Sequence, residues 1–197
     1  MCRAPKQPPP STQRLTRQTQ AHDPPPPGSI CAGQEGGINS PMYHHFTGKP
    51  DLALAAIRRT AEQMRATAEA VLGGTGSAYA RIEAYLLRER DVLRGCPVGR
   101  LTMDPDVVAS DELRAPVTET LDWLRERLAG IVEEGVAQGE FTAGLDPREI
   151  ASAIVATVQG GYVLARSSGS PAAFDAAVRG LLALLGACAA APRTTTS

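Results

Sequence analysis

The chain has 197 residues and a formal net charge of −1, with 43% hydrophobic, 21% charged and 4% aromatic residues. That length suits one medium domain or a small domain joined to a larger one. The near-neutral balance excludes a chain coated in positive charge for nucleic acid, yet leaves room for a local basic patch. Ala and Leu supply most of the apolar mass and no β-branched run alternates with period two, so the pattern predicts an all-α fold of packed helices.

Residues 1–38 hold two proline runs, 8–10 and 24–27, separated by the polar stretch STQRLTRQTQAHD. Proline lacks a backbone donor and the polar stretch has little to bury, which predicts a disordered or polyproline segment. A proline-rich ligand for a partner domain is the functional alternative. At Ser40 the character changes. Ser40 and Pro41 form an N-cap with proline at the first helical position, and a short helix runs through Phe46. Gly48 breaks it, and Lys49, Pro50 and Asp51 open a longer helix in which Leu52, Ala56, Ile57, Met64, Ala68 and Val71 recur at helical spacing. Gly73, Gly74 and Gly76 end that helix. Ser77 caps the next, which places Tyr79, Ile82, Leu86 and Leu93 on one face.

GCPVG at 95–99 reads as a loop, followed by a weak helical stretch ending near Asp104 and Pro105. Ser110, Asp111 and Glu112 start the longest element, where Leu113, Val117, Leu121, Leu124, Leu128 and Ile131 step by threes and fours. Pro116 either marks its first turn or kinks it, and Gly139 ends it. Asp146 and Pro147 begin another helix, with Glu149 in its first turn and Ile150, Ile154, Val158, Tyr162 and Ala165 along one side. Ser170 and Pro171 begin the last, lined by Phe174, Val178, Leu181, Leu185 and Cys188. Residues 192–197 form a polar tail that frays. The last two helices carry further small and apolar residues off the main stripe, among them Ala151, Ala153, Gly160, Gly161, Ala173, Ala177, Leu182 and Leu184. A helix apolar on two sides buries two sides, either centrally in a monomer or, as preferred here, against a second copy across a two-fold axis.

Cys2, Cys31, Cys96 and Cys188 are scattered, with neither CxxC spacing nor a neighbouring His. They read as reduced thiols of a cytoplasmic protein and support neither a zinc site nor a disulfide framework. No apolar stretch approaches the roughly 18 residues of a membrane span, and no hydrophobic segment follows the basic N-terminus as a secretory signal requires. The only histidines are His22, His44 and His45, with no acid or nucleophile set around them, and no GxSxG, P-loop, HExxH or dinucleotide fingerprint occurs. The glycine-rich GGTGS at 73–77 lies between two helices and reads as a linker. The expectation is therefore a protein that is not an enzyme and carries no cofactor or metal.

The stretch SPMYHHFTGKPDLALAAI, residues 40–57, resembles the end of the helix-turn-helix domain of TetR-family regulators: a Tyr-His-His-Phe recognition-helix end, then Lys, an acidic residue and Leu at Lys49, Asp51 and Leu52. GCPVGRLTMD resembles the loop-helix of the LmrA/YxaF-like branch, and GEFTAGLDPREIASAIVATVQGGYVLAR resembles the turn and eighth helix of the family's ligand-binding domain. The resemblance implies a TetR-like helical bundle with four segments: 1–38 disordered, 39–58 a remnant of the helix-turn-helix domain, 59–191 a ligand-binding and dimerisation domain, and 192–197 a tail. Nothing in residues 1–33 is like the family's two preceding helices, which implies a truncated head.

In such a domain the recognition helix reads base edges from its N-terminal residues. The resemblance thus gives Ser40, Pro41, Met42, Tyr43, His44 and Lys49 as DNA contacts, with Lys49 in a helix's first turn suited to a phosphate. It also implies a small molecule between the middle helices, for which Tyr85, Cys96, Met103, Trp123, Gln159 and Tyr162 are candidate lining residues; plain core packing is the competing reading for each. No charged pair marks the ligand's sign, so an apolar or amphipathic effector is the default expectation. The implied function is a transcriptional regulator, a repressor released from operator DNA by its effector and a homodimer through its last two helices. The alternative is a dimeric ligand-binding or interaction module that has lost DNA binding.

Overall fold

Lys49, Pro50 and Asp51 open helix α1, Lys49–Leu72, as the sequence predicts. Proline in the first turn sacrifices no hydrogen bond, because the first N–H groups of a helix have no partner within it. The structure, a computed structural model, describes residues 48–189. The expected proline-rich segment 1–38, the short helix 40–46 with Ser40, Pro41, Met42, Tyr43 and His44, and the tail 192–197 lie outside them. Among the described residues the chain forms six α-helices and one 3-10 turn; the sole strand-like feature is a single bridge between Phe141 and Ala189.

Helix α2, Ala78–Leu87, starts where Ser77 Oγ accepts from Ala80 N at 3.1 Å. It stops at Leu87 because Arg88 turns to ψ 148°. Leu93 therefore lies beyond the helix and is 44% exposed, against the expectation that it shares the α2 face. After the 3-10 turn Gly99–Met103, Asp104 and Pro105 begin a short helix α3, Pro105–Ala109, where the sequence reading has a helical stretch ending. Asp104 Oδ1 accepts from Asp106 N and Val107 N, so the dipeptide is a start signal. Helix α4, Asp111–Gln138, follows from the Ser110 cap and runs through Pro116, which is buried and neither begins nor ends it. Thr120 Oγ1 donates to the Pro116 carbonyl at 2.7 Å. Helix α5, Pro147–Ser168, starts from the Asp146 cap, and α6, Ala172–Ala187, follows a turn in which Ser170 Oγ accepts from Ala172 N.

Helix α5 packs between α4 and α6, and α1 lies along α4 with α2 against both. Leu128, Ile131, Ile154, Ala151 and Ala165 are fully excluded from water at the centre of the core. A Cβ on Gly161 would sit 2.8 Å from the Phe174 ring, so this glycine lets α6 approach α5 closely. The buried stripe of α1 is Leu54, Ile57, Ala61, Ala68 and Leu72. Leu52 and Ala56, expected on that stripe, face outward instead; the stripe follows where α4 and α2 lie, which the helix's own periodicity leaves open. The foot of α1 is tied down: Arg127 grips Glu69 with Nε and Nη2 at 2.9 and 3.0 Å, and Arg81 Nε donates to the Leu72 carbonyl at 2.8 Å. No described helix is long and apolar enough to cross a membrane.

Candidate functional site

A cavity of about 460 Å³ opens between the middle of α1, the 88–100 segment and α5. Helix α1 contributes Thr60, Gln63, Met64 and Thr67, and α5 contributes Val158, Gln159 and Tyr162. Of the residues expected at a ligand site, Tyr85, Cys96, Gln159 and Tyr162 meet here. Met103 and Trp123 do not join them. Met103 ends the 3-10 turn and is 83% exposed, and Trp123 packs half-buried on α4 against the core.

Tyr85 reaches the cavity from the last turn of α2 and is almost fully buried. Burial pushes its phenol above the ordinary range, and does the same to Tyr162. Both stay neutral and present a hydroxyl on an apolar ring. The Tyr162 ring rests against Phe174 at 5.0 Å between centroids, which ties this wall to α6.

The segment leaving α2 brings in what the sequence reading missed. Arg88, Arg90, Arg94 and Arg100 all line the cavity, beside Glu89 and Asp91. Arg90 is occupied: its two terminal nitrogens donate to the carbonyls of Leu86 at 2.7 Å, of Arg88 at 3.0 Å, and of Tyr85. It thereby caps the open carbonyl end of α2 with a positive charge. Burial, and next the neighbouring Arg88 charge, pull the Arg90 guanidinium below its ordinary value. Arg88 stacks over the Tyr85 ring at 4.7 Å, and Arg90 lies 5.2 Å from the same centroid. Arg88 Nε and Nη1 are shut off from water without a hydrogen-bond partner among the described residues.

The 95–99 loop closes the floor. Cys96 is buried, its Sγ accepting from Gly99 N at 3.2 Å. A Cβ on Gly99 would lie 2.2 Å from Gln159 Oε1, so glycine lets the loop sit directly on the α5 amide. Gln159 is thereby positioned at the cavity with a donor and an acceptor. The described residues contain no group of three or more His, Cys, Asp or Glu placed to hold a metal ion.

At the other end of α1, Lys49 is exposed in the first turn, as a phosphate contact requires. Ser40, Pro41, Met42, Tyr43 and His44 lie outside the described residues. The last two helices keep a second apolar stripe uncovered: Val163, Leu164 and Leu184 are 67%, 54% and 68% exposed. Exposed Ala153, Ala156 and Gly160 on α5, and Ala176, Gly180 and Ala183 on α6, continue it at helical spacing.

Comparison with known proteins finds relatives of this fold. A family profile described as "Tetracyclin repressor-like, C-terminal domain" matches residues 77–181. The transcriptional regulator AcuR of Cereibacter sphaeroides is 29% identical over 119 residues, covering 57% of this chain and 54% of that protein. The chain thus spans about half the length of that curated relative. Among solved structures, a TetR transcriptional regulator from Chloroflexus aurantiacus J-10-FL superposes with a TM-score of 0.66 at 29% identity, over 76% of this chain and 78% of the other. Regulatory protein TetR from Rhodobacter sphaeroides gives 0.64 at 25% identity, over 74% and 80%. A TetR-family regulator from Cytophaga hutchinsonii shares the fold with a TM-score of 0.69 at 22% identity, over 77% and 78%.

Proposed function

Because this chain belongs to the TetR family of transcriptional regulators, through the C-terminal domain matched over residues 77–181, we propose that it is a homodimeric, DNA-binding regulator controlled by a small molecule in the cavity beside α1. One observation carries this reading: a single continuous helix joins the two ends of the device. Lys49 stands in the first turn of α1, Thr60, Gln63, Met64 and Thr67 line the cavity from its middle, and Glu69 and Leu72 are held by arginines at its foot. Met64 lies about 22 Å along the axis from Lys49, at 1.5 Å per residue. A ligand that moves the middle of α1 against its anchored foot moves the Lys49 end with it. Differential affinity of the ligand for the two arrangements then sets DNA affinity. The protein is accordingly read as a cytoplasmic repressor released from its operator by the effector, with Ser40, Pro41, Met42, Tyr43, His44 and Lys49 facing DNA.

The uncovered stripe on α5 and α6 supports the dimer. Small residues let two helices approach two others, and a continuous exposed apolar face marks an interface. Leu184→Glu is expected to weaken the dimer about thirtyfold or more, the equivalent of losing one interfacial hot spot, as read by sedimentation equilibrium.

Fluorescence anisotropy of the purified chain on DNA from its own upstream region, at two salt concentrations, tests the regulator. Saturable binding that weakens with salt and outcompetes random DNA supports it. A folded dimer that fails to bind would overturn DNA recognition and leave the ligand-binding module as the reading.

A further inference from the structure

We propose that the effector is an anion, a small organic acid whose carboxylate is held by the Arg88 guanidinium while its body lies between Tyr85, Tyr162, Met64 and Val158. This deepens, and rests on, the reading of the cavity as the effector site.

Four arginines line the cavity against Glu89 and Asp91. The ion pairs among the described residues involve Arg81, Arg114, Arg125 and Arg127, and none of the four cavity arginines. Glu89 and Asp91 stand on the same wall and offset part of that charge without pairing closely with any of the four, which leaves an excess of two positive charges, four minus two. The cavity presents a positive field to whatever enters, strengthened by low-dielectric surroundings.

Within that field Arg88 and Arg90 differ. Arg90 spends its terminal nitrogens on the carbonyls at the end of α2. Arg88 has a ring beneath it, and two of its three nitrogens are buried without a partner. A desolvated donor left unpaired is costly, more so when charged. A carboxylate supplies the opposite charge and an acceptor oxygen for Nη2, the Arg88 nitrogen that is not shut off from solvent. A neutral ligand leaves the guanidinium unneutralised, and a cationic one adds repulsion to Arg88, Arg90, Arg94 and Arg100. Beyond the arginines Tyr85, Tyr162, Met64 and Val158 offer apolar surface, and Thr60, Gln63, Thr67 and Gln159 offer further polar contacts. About 460 Å³ suits a small organic molecule. Arg88 and Arg90 also border a second cavity of about 410 Å³, beneath Phe174 and Val178 on α6. There Asp175 and Arg179 supply a wall of balanced charge, so the first cavity is the more positive.

The test is calorimetric titration of the full chain with benzoate and hexanoate, their neutral amides, benzylamine and inorganic phosphate. The acids are expected to bind about tenfold or more tightly than the amides, the loss typical of one charge-assisted hydrogen-bonding partner. Arg88→Gln should remove that preference, bringing the acids to the affinity of their amides, Arg88→Lys should retain part of it, and Gln159→Trp should block all probes by filling the cavity from α5. Circular dichroism melting shows whether each variant is folded, and Arg88→Lys carries the test if Arg88→Gln is not. Amides or benzylamine binding as tightly as the acids would overturn the anion and leave the effector cavity standing. Phosphate binding more tightly than either acid would overturn the carboxylate assignment. Acid binding that survives Gln159→Trp would move the site to the second cavity and sink the proposal. Binding of no probe of any charge would overturn the effector cavity itself.

Discussion

The molecule holds two clusters of arginines that do opposite things. At the foot of α1, Arg127 and Arg81 face Glu69 and Glu134 and share the Leu72 carbonyl, so charge, hydrogen bonds and helix end are satisfied together. At the end of α2, Arg90 caps carbonyls, but Arg88 has neither acid nor hydrogen-bond acceptor among the described residues. Both clusters rest on the same apolar core of α4, α5 and α6. Arg81, Arg90 and Arg127 spend terminal nitrogens on partners, although the Nε of Arg90, like that of Arg65, is buried without one; Arg88, against the cavity, spends none and is open to a partner from outside.

Four variants sharpen or break that contrast, taken from the largest effect to the smallest. Leu128, fully buried in the core, should cost about 2–5 kcal/mol as Leu128→Ala, the range for buried leucines, measured by urea unfolding. Smaller losses would mean the core collapses around the cavity. Arg90→Met should cost about 1.5–3 kcal/mol, because the last carbonyls of α2 lose a charged donor; unchanged stability would show that water replaces the cap.

Glu69 comes next. The hydrogen bonds from Arg127, foremost, hold its carboxyl below the ordinary carboxylate value. A carboxylate with a depressed folded-state pKa stabilises the fold above its unfolded value and loses that contribution as pH falls through the folded value. Glu69→Gln should therefore be less stable than the parent at neutral pH and converge with it as the pH falls through the depressed folded-state value. The side chain is 46% exposed, so the difference at neutral pH stays under about 1 kcal/mol after solvent screening. A gap that persists undiminished in acid would assign it to packing. Arg88→Gln should change stability least, by about 0.5 kcal/mol in either direction, since no hydrogen bond is lost and the lost cation–π contact with Tyr85 is offset by relief of an unpaired buried charge. A loss comparable to Arg90→Met would make Arg88 a structural residue and dissolve the comparison.

Much of the helical layout was legible in the chain itself. Ser77, Ser110 and Asp146 each cap a helix from the residue adjoining it, and the stripes of α4, α5 and α6 follow from spacing alone. Both signals are complete within one or two turns, so neighbouring residues suffice to read them. The same reasoning stumbled where a local signal has two meanings. Asp104 and Pro105 end one turn and start the next helix, and Leu52 and Ala56 share a period with Ile57 but face away from α4.

The candidate site was legible in part. Tyr85, Cys96, Gln159 and Tyr162 reach one cavity, whereas Met103 and Trp123 stay outside it. The arginines of RERDVLRGCPVGR, residues 88–100, are visible in the sequence, but only the GCPVG loop among them was read. Nothing in the linear order distinguishes Arg88 from Arg81, Arg90 or Arg127. By itself the sequence determined an all-helical chain with its caps, its stripes and its resemblance to a regulator family, because those rest on interactions between close neighbours. Only the tertiary structure decided which arginines meet an acid and which face an open cavity, because burial and pairing depend on segments far apart in the chain that packing alone brings together.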